Sequence, residues 1–229
     1  MRFLKWIIAG AVALVIVIVG GTWLYIHTSN EPEKLTLDAT PGGTTAKGSG
    51  GGAPLASVDG TWKPTSASQA GYRVKETLFG QSNEAVGRTN AVTGDVTING
   101  TKVPSASFTV DLTSVKSDKD GRDSQFKNRI MNVSQFPTAT FKLTQPIDMS
   151  AVPADGEAKT VKATGDLTLH GKTKSVTVDL QTQRNGNQIQ IVGSIPITFA
   201  DFGINNPSGG PAQTEDNGQL EVKLVLEKA

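Results

Sequence analysis

The chain has no cysteine among its 229 residues. This absence excludes disulfide bonds, thiolate metal sites and a cysteine nucleophile. It also excludes a lipid anchor attached through a lipobox cysteine. The cellular compartment therefore has to be inferred from the N-terminal segment.

The chain also lacks an excess of either charge. Lys and Arg number 22 against 21 Asp and Glu. The balance persists in the part of the chain after residue 52, and no basic stripe stands out there. Nucleic acid is therefore not an expected partner.

Histidine is scarce, and His170 is the only one in residues 53–229. One histidine without cysteine cannot build the usual zinc sites, which need three or four ligands, so we predict no metal and no cofactor. A Ser-His-Asp arrangement remains open by composition, but there is no Gly-x-Ser-x-Gly nucleophile elbow. The acidic run at 118–123 resembles the start of a calcium loop, yet Arg129 occupies the position of its essential glutamate. We expect His170, beside Gly171, to be a turn residue at the rim of the fold.

The longest apolar run lies at the N-terminus, from Trp6 to Ile26, and contains no charge. A helix needs about 20 such residues to cross a bilayer. Because Arg2 and Lys5 precede the run, the positive-inside rule predicts a cytoplasmic N-terminus and an extracytoplasmic remainder. We therefore expect residues 6–26 to be a single-pass plasma-membrane anchor. The alternative is a cleaved signal peptide and a secreted protein, although Gly21-Thr22-Trp23 is a poor cleavage site.

Composition divides the chain into three parts. Residues 1–27 form the predicted anchor. Residues 28–52 are rich in Gly, Thr and Ser without an apolar period, which predicts a flexible linker. Residues 53–229 are long enough for one domain with a sizeable core.

Period-two alternation of apolar and polar residues dominates this last part. It predicts one apolar face per strand and hence an all-β, eight-stranded antiparallel, lipocalin-like barrel. The expected strands lie at about 71–78, 84–98, 104–115, 138–148, 158–170, 173–184, 188–199 and 219–228. One short helix is expected at 118–131, capped by Ser117 and Asp118 and covering one end of the barrel.

Small residues recur in the inward-facing series, among them Ala106, Ala139, Ala163, Gly165 and Gly193. Barrel taper and strand bends account for single glycines. Together, however, the small residues leave the interior underfilled, which predicts a container for an apolar ligand. The expected lumen-lining residues are Tyr72, Val74, Phe108, Val110, Ala139, Phe141, Ala163, Gly165, Leu167, Val176, Ile191 and Gly193.

Three motifs, in order, resemble the YceI-like family of polyisoprenoid-binding proteins. They are Arg122-Asp123 with Phe126, Met131-Asn132, Phe136-Pro137 and Phe141; the hairpin Gly165–Val176; and Asp201-Phe202-Gly203. The resemblance covers about residues 58–228. It implies an extended lipocalin-like barrel that binds a long isoprenoid or similar amphiphile in its lumen. Glu76 stands where the family often has a histidine.

Two charged residues are candidates for a polar mouth. A hairpin centred near Ser82 would place Glu76 opposite Arg88, with both side chains inward. They would then form either a structural ion pair or a site in which Arg88 meets an acidic headgroup.

The leading hypothesis is a non-catalytic, membrane-tethered carrier, store or sensor of an isoprenoid-like lipid. One alternative is a packed structural barrel, without an internal cavity, whose loops such as 205–211 bind a protein partner. Another is a lipid hydrolase or isomerase whose turnover depends on His170 or an acidic residue.

Overall fold

The computed structural model describes residues 32–38, 57–210 and 212–229. The predicted anchor at 1–27 lies outside the described residues, as does most of the predicted linker. Within the described ranges, no helix has the length and apolarity that a membrane crossing requires.

The described chain is built almost entirely of β-strands. They are β1 (Gly60–Pro64), β2 (Gln69–Leu78), β3 (Gln81–Thr89), β4 (Val92–Asn99), β5 (Lys102–Asp111), β6 (Lys116–Ser117), β7 (Thr138–Leu143), β8 (Ile147–Asp148), β9 (Ala158–Leu169), β10 (Lys172–Asn185), β11 (Gln188–Thr198), β12 (Ala212–Thr214) and β13 (Asn217–Lys228). Short 3₁₀ helices span Leu112–Ser114 and Phe199–Phe202.

These strands form a closed, eight-stranded antiparallel barrel, which confirms the predicted all-β class. β1 and β2 lie end to end along β13, and β3 and β4 lie end to end beside them. The order then continues through β5, β7, β9, β10 and β11 back to β13. We call the β2–β13 pair the closing seam, because it joins the beginning of the sheet to its last strand.

A side chain provides the hydrogen bonds that β13 loses at the break between β1 and β2. Ser68 is fully buried, and its hydroxyl donates to the Val225 carbonyl (3.2 Å) and accepts from the Val225 amide (3.0 Å). The hydroxyl thus replaces the backbone partners that the break removes. β1 has only five residues, too few for clear alternation, so the pattern does not predict it. The single strand predicted over 84–98 is wrong: it is divided into β3 and β4, with residues 90 and 91 between them.

The predicted helix is present but shorter. Helix α1 (Asp120–Gln125) continues into a π-helical turn (Phe126–Ile130) and covers one end of the barrel, here called the helix end. The expected caps are wrong: the helix starts after Lys119 without a side-chain cap. Ser117 instead donates from its amide (2.8 Å) and hydroxyl (2.7 Å) to Asp123 Oδ1.

Candidate functional site

The barrel encloses a cavity of about 790 Å³. It runs from α1 at the helix end to Ile98 and Met149 at the opposite end. Its volume falls within the range of roughly 300–1,000 Å³ that is typical of ligand sites. This cavity contradicts the alternative of a fully packed barrel.

Most of the predicted lumen residues line this cavity. They are Tyr72, Val74, Phe108, Val110, Ala139, Phe141, Ala163, Leu167 and Ile191. Ala139 and Ala163 are buried there, and Ala163 is 1% exposed. The alanines therefore do leave space in the lumen, as the alternation predicted.

The structure places Gly165, Gly193 and Val176 differently, because none of them lines the cavity. A Cβ on Gly165 would lie 2.4 Å from Phe141 Cζ, and a Cβ on Gly193 would lie 2.4 Å from Leu180 Cδ2. Interpreting these two glycines as empty space is therefore wrong. They admit the side chain of a neighbouring strand.

The expected pairing of Glu76 with Arg88 is also wrong. The β2–β3 turn falls at Phe79-Gly80 and not near Ser82, so Glu76 pairs with Asn83 and Arg88 with Gly71. Glu76 lines the cavity, but Arg88 lies outside it and binds Glu221 Oε2 through Nη2 (2.9 Å).

Two cations line the cavity at the helix end, Lys119 just before α1 and Arg122 on α1. We call this end the mouth, and Arg122 has the closer carboxylate partners. Its Nη2 donates to Glu76 Oε1 (3.2 Å), and its Nη1 donates to Asp118 Oδ1. Glu76 Oε1 also accepts from Asn83 Nδ2 (2.6 Å). Although burial lowers the pKa of Arg122, the carboxylates of Asp118 and Glu76 raise it above its ordinary value. Arg122 is therefore a charged group already neutralised by two carboxylates.

Sequence reasoning assigned Arg122 to a family motif but not to the mouth. Its position depends on how α1 docks, which the strand alternation does not specify. The sequence feature that could have indicated this position is the long connection between β5 and β7, which places the helix over one end of the barrel.

An aromatic pair lines the cavity at the helix end. The rings of Tyr72 and Phe126 stack with centroids 5.0 Å apart and planes 13° apart. Burial raises the pKa of the Tyr72 phenol, so the ring stays neutral at physiological pH. The pair gives the helix an apolar contact with the barrel wall.

His170 lies in the β9–β10 turn, with a positive φ of 49°, as expected for a rim residue. Its ring meets Phe136 edge-on, with centroids 4.7 Å apart, and its Nδ1 lies 3.2 Å from the Phe202 carbonyl. The three motifs therefore meet at the helix end. His170 does not line the cavity.

This chain is similar in sequence to proteins of several bacteria. A UPF0312 protein of Pseudomonas paraeruginosa is 33% identical over 150 residues, which is 61% of this chain and 70% of that protein. A UPF0312 protein of Shewanella denitrificans is 31% identical over 151 residues, covering 62% and 73% of the two chains.

Two solved structures share the fold. One is a polyisoprenoid-binding domain from Saccharophagus degradans implicated in plant cell wall breakdown, with a TM-score of 0.58 and 18% identity over 74% of this chain and 98% of that one. The other is BcnA of Burkholderia cenocepacia, with a TM-score of 0.55 and 23% identity over 71% and 98% of the two chains. The YceI-like domain model matches residues 62–226, which are nearly the whole barrel. This chain therefore belongs to the YceI-like family.

Proposed function

We propose that this protein binds an isoprenoid or similar amphiphilic lipid in the barrel lumen, as a membrane-tethered carrier, store or sensor outside the cytoplasm. The observation that carries the proposal is the long apolar cavity of about 790 Å³. The polyisoprenoid-binding domain from Saccharophagus degradans, which has the same fold, supports it.

The apolar lining suits a ligand that needs no hydrogen bonds along its length. Burying each methylene is worth about 0.8 kcal/mol. Because a bilayer offers the same gain, transfer of the tail between membrane and barrel is close to neutral. The barrel can thus take up and release lipid without an energy source.

The mouth favours an uncharged polar headgroup. Three carboxylates, Glu76, Asp118 and Asp120, line this end of the cavity together with two cations, Lys119 and Arg122, so the local charge is not positive. A pyrophosphate would have to displace these carboxylates or approach them, and like charges at close range repel. We therefore infer that a prenyl alcohol or another neutral head is preferred to its pyrophosphate.

The proposed location follows from the sequence of the N-terminal segment. Residues 6–26 are apolar and follow two basic residues, which favours an anchored barrel outside the cytoplasm. Secretion after signal cleavage is the alternative.

A photo-crosslinking experiment on the full chain in lipid nanodiscs tests lumen binding. The protein binds a long-chain prenyl alcohol that carries a diazirine, and illumination crosslinks the two. Peptide mass spectrometry then identifies the labelled residues. We expect labelling of inward-facing residues on β9 and β13. Ala163→Phe should lower this labelling at least tenfold, because the ring enters the lumen.

The adjacent substitution Thr164→Phe is the matched control, since Thr164 faces the outside and bonds Thr177 through the two hydroxyls (2.9 Å). It should leave labelling unchanged. Ala139→Leu provides a milder lumen substitution. Unlabelled prenyl alcohol should compete better than its pyrophosphate of equal length. Labelling confined to residues 6–26, or unaffected by both lumen variants, would refute binding in the lumen.

A further inference from the structure

One part of the outer barrel wall is buried although its side chains point away from the lumen. Leu224 on β13 and Ile191 on β11 line the cavity, so their neighbours Val225, Gln190 and Val192 face outward. Yet Val225 is 4% exposed, Gln190 5% and Val192 8%. The outer face of a barrel is normally solvated, so something covers this wall.

Residues 32–38 lie on this wall at its β11 side. The Asp38 amide donates to Gln190 Oε1 (2.9 Å), and Gln190 Nε2 donates to Asp38 Oδ2 (3.0 Å). Lys223 Nζ donates to the other carboxylate oxygen of Asp38. Asp38 is thus held by a reciprocal amide pair and an ammonium group.

The same segment is held at its other end by two arginines. Arg73 Nη2 donates to the Pro32 carbonyl (2.8 Å), and Arg88 Nη2 donates to the Glu33 carbonyl. Arg73 is also fixed by Glu84 Oε2 and Glu221 Oε1, both at 2.7 Å. Because these carboxylates hold the guanidinium in place, it offers its remaining donor to the segment in a fixed direction.

These contacts trace a path across the strands. Arg88 is on β3, Arg73 on β2, Lys223 on β13 and Gln190 on β11, and these four strands are neighbours in the barrel. The segment therefore crosses the closing seam, where β2 pairs with β13.

We infer that residues 32–38 are a strap that binds across the closing seam and that the outer wall at Arg73, Arg88, Gln190 and Lys223 is its docking site. The occupant is this chain's own acidic segment, whose carbonyls and Asp38 carboxylate match the basic and amide donors of the wall.

Binding of the strap shortens the free chain between the barrel and the membrane anchor. This consequence rests on the proposed anchor. A free linker over 28–52 would have a root-mean-square span of about 25–30 Å. With the strap docked, only residues 28–31 separate the anchor from the barrel, and the five steps from residue 27 to residue 32 reach at most about 18 Å. The barrel would then stay close to the bilayer with one wall turned toward it.

Spin-label distances in the full chain test the strap. Because the chain has no cysteine, Thr36→Cys and Lys142→Cys give two unique label sites. Lys142 is exposed on β7, on the far side of the barrel from β13. We expect double electron–electron resonance to give a narrow distance distribution.

A variant with residues 32–38 replaced by Gly and Ser around the label should give a broad distribution, since a free segment of about 20 residues has a span of roughly 25 Å. This variant leaves every barrel residue intact. The matched control replaces residues 42–48 in the same way and should stay narrow. A broad distance distribution in the chain with the native strap would overturn the proposal. Equal widths in that chain and in the variant with residues 32–38 replaced would also overturn it.

Energy transfer from a dye on Lys142→Cys to headgroup-labelled lipid in nanodiscs tests the short tether. Transfer should be higher with the native strap than with the Gly and Ser replacement. Equal energy transfer together with a narrow spin-label distribution would show that the strap binds the barrel wall but does not hold the barrel close to the membrane. Lumen photolabelling is independent of both results.

Discussion

Phe79 is a bulky residue in a backbone conformation that favours glycine or asparagine. Its φ is +51°, it is followed by Gly80 at +80°, and its side chain is 58% exposed. A non-glycine residue in this region costs on the order of 1 kcal/mol, and asparagine tolerates it best. We predict that Phe79→Asn raises the free energy of unfolding by about 1 kcal/mol in urea denaturation. Phe79→Leu keeps the strain and should give no such gain; an equal gain would show that exposure, and not the backbone, is responsible.

Individual residues also show where sequence reasoning reaches its limit. Alternation placed Ala163 and Phe141 correctly on the inner face. It could not show that the Phe141 ring crosses to Gly165, or that Leu180 crosses to Gly193, because these contacts depend on strand register. A glycine in a strand therefore predicts a close approach as readily as a void.

Among the elements, α1 depends on one buried carboxylate. Burial raises the pKa of Asp123, but hydrogen bonds from Ser117 and contact with Lys116 (3.2 Å) lower it below its ordinary value of 3.8. Its contribution to stability is therefore fully present above pH 3.8 and is lost as the pH falls through the lower folded-state value.

We predict that Asp123→Asn lowers the free energy of unfolding at pH 7 by about 1 kcal/mol. The stabilities of the two proteins should converge as the pH falls below about 3.8, because Asp123 is then protonated and becomes uncharged like the asparagine. Urea denaturation as a function of pH measures this. Asp120→Asn, on the same helix but exposed, should follow the unsubstituted protein throughout. A difference for Asp123→Asn that stays constant with pH would exclude the charge as the cause.

The register of the β2–β3 hairpin explains why the predicted pairing of Glu76 with Arg88 at the mouth is wrong. The register of a hairpin is fixed by its turn, and a hairpin centred near Ser82 has a different register from one that turns at Phe79-Gly80. With the turn at Phe79-Gly80, Glu76 does not lie opposite Arg88, and its carboxylate binds Arg122 instead. Most strands were predictable from local pattern, but the register of this hairpin was not.

At the scale of the whole molecule, eight amphipathic stretches were enough to predict closure, because a barrel leaves no unpaired sheet edge. The cavity followed from the alanines. β1 and the strap did not follow, since each is short and depends on partners far along the chain, such as Val225 for Ser68 and Gln190 for Asp38.

The absence of cysteine makes the proposed topology directly measurable. We predict that Asn205→Cys, in an exposed loop, reacts with a membrane-impermeant maleimide in intact bacterial cells. Phe3→Cys should react only after lysis, because the positive-inside rule keeps the short N-terminus in the cytoplasm. Reaction of Phe3→Cys in intact cells would refute this orientation. Recovery of the barrel from the medium without residues 1–27 would favour signal cleavage, and the strap would then bind the barrel without setting its distance from a membrane.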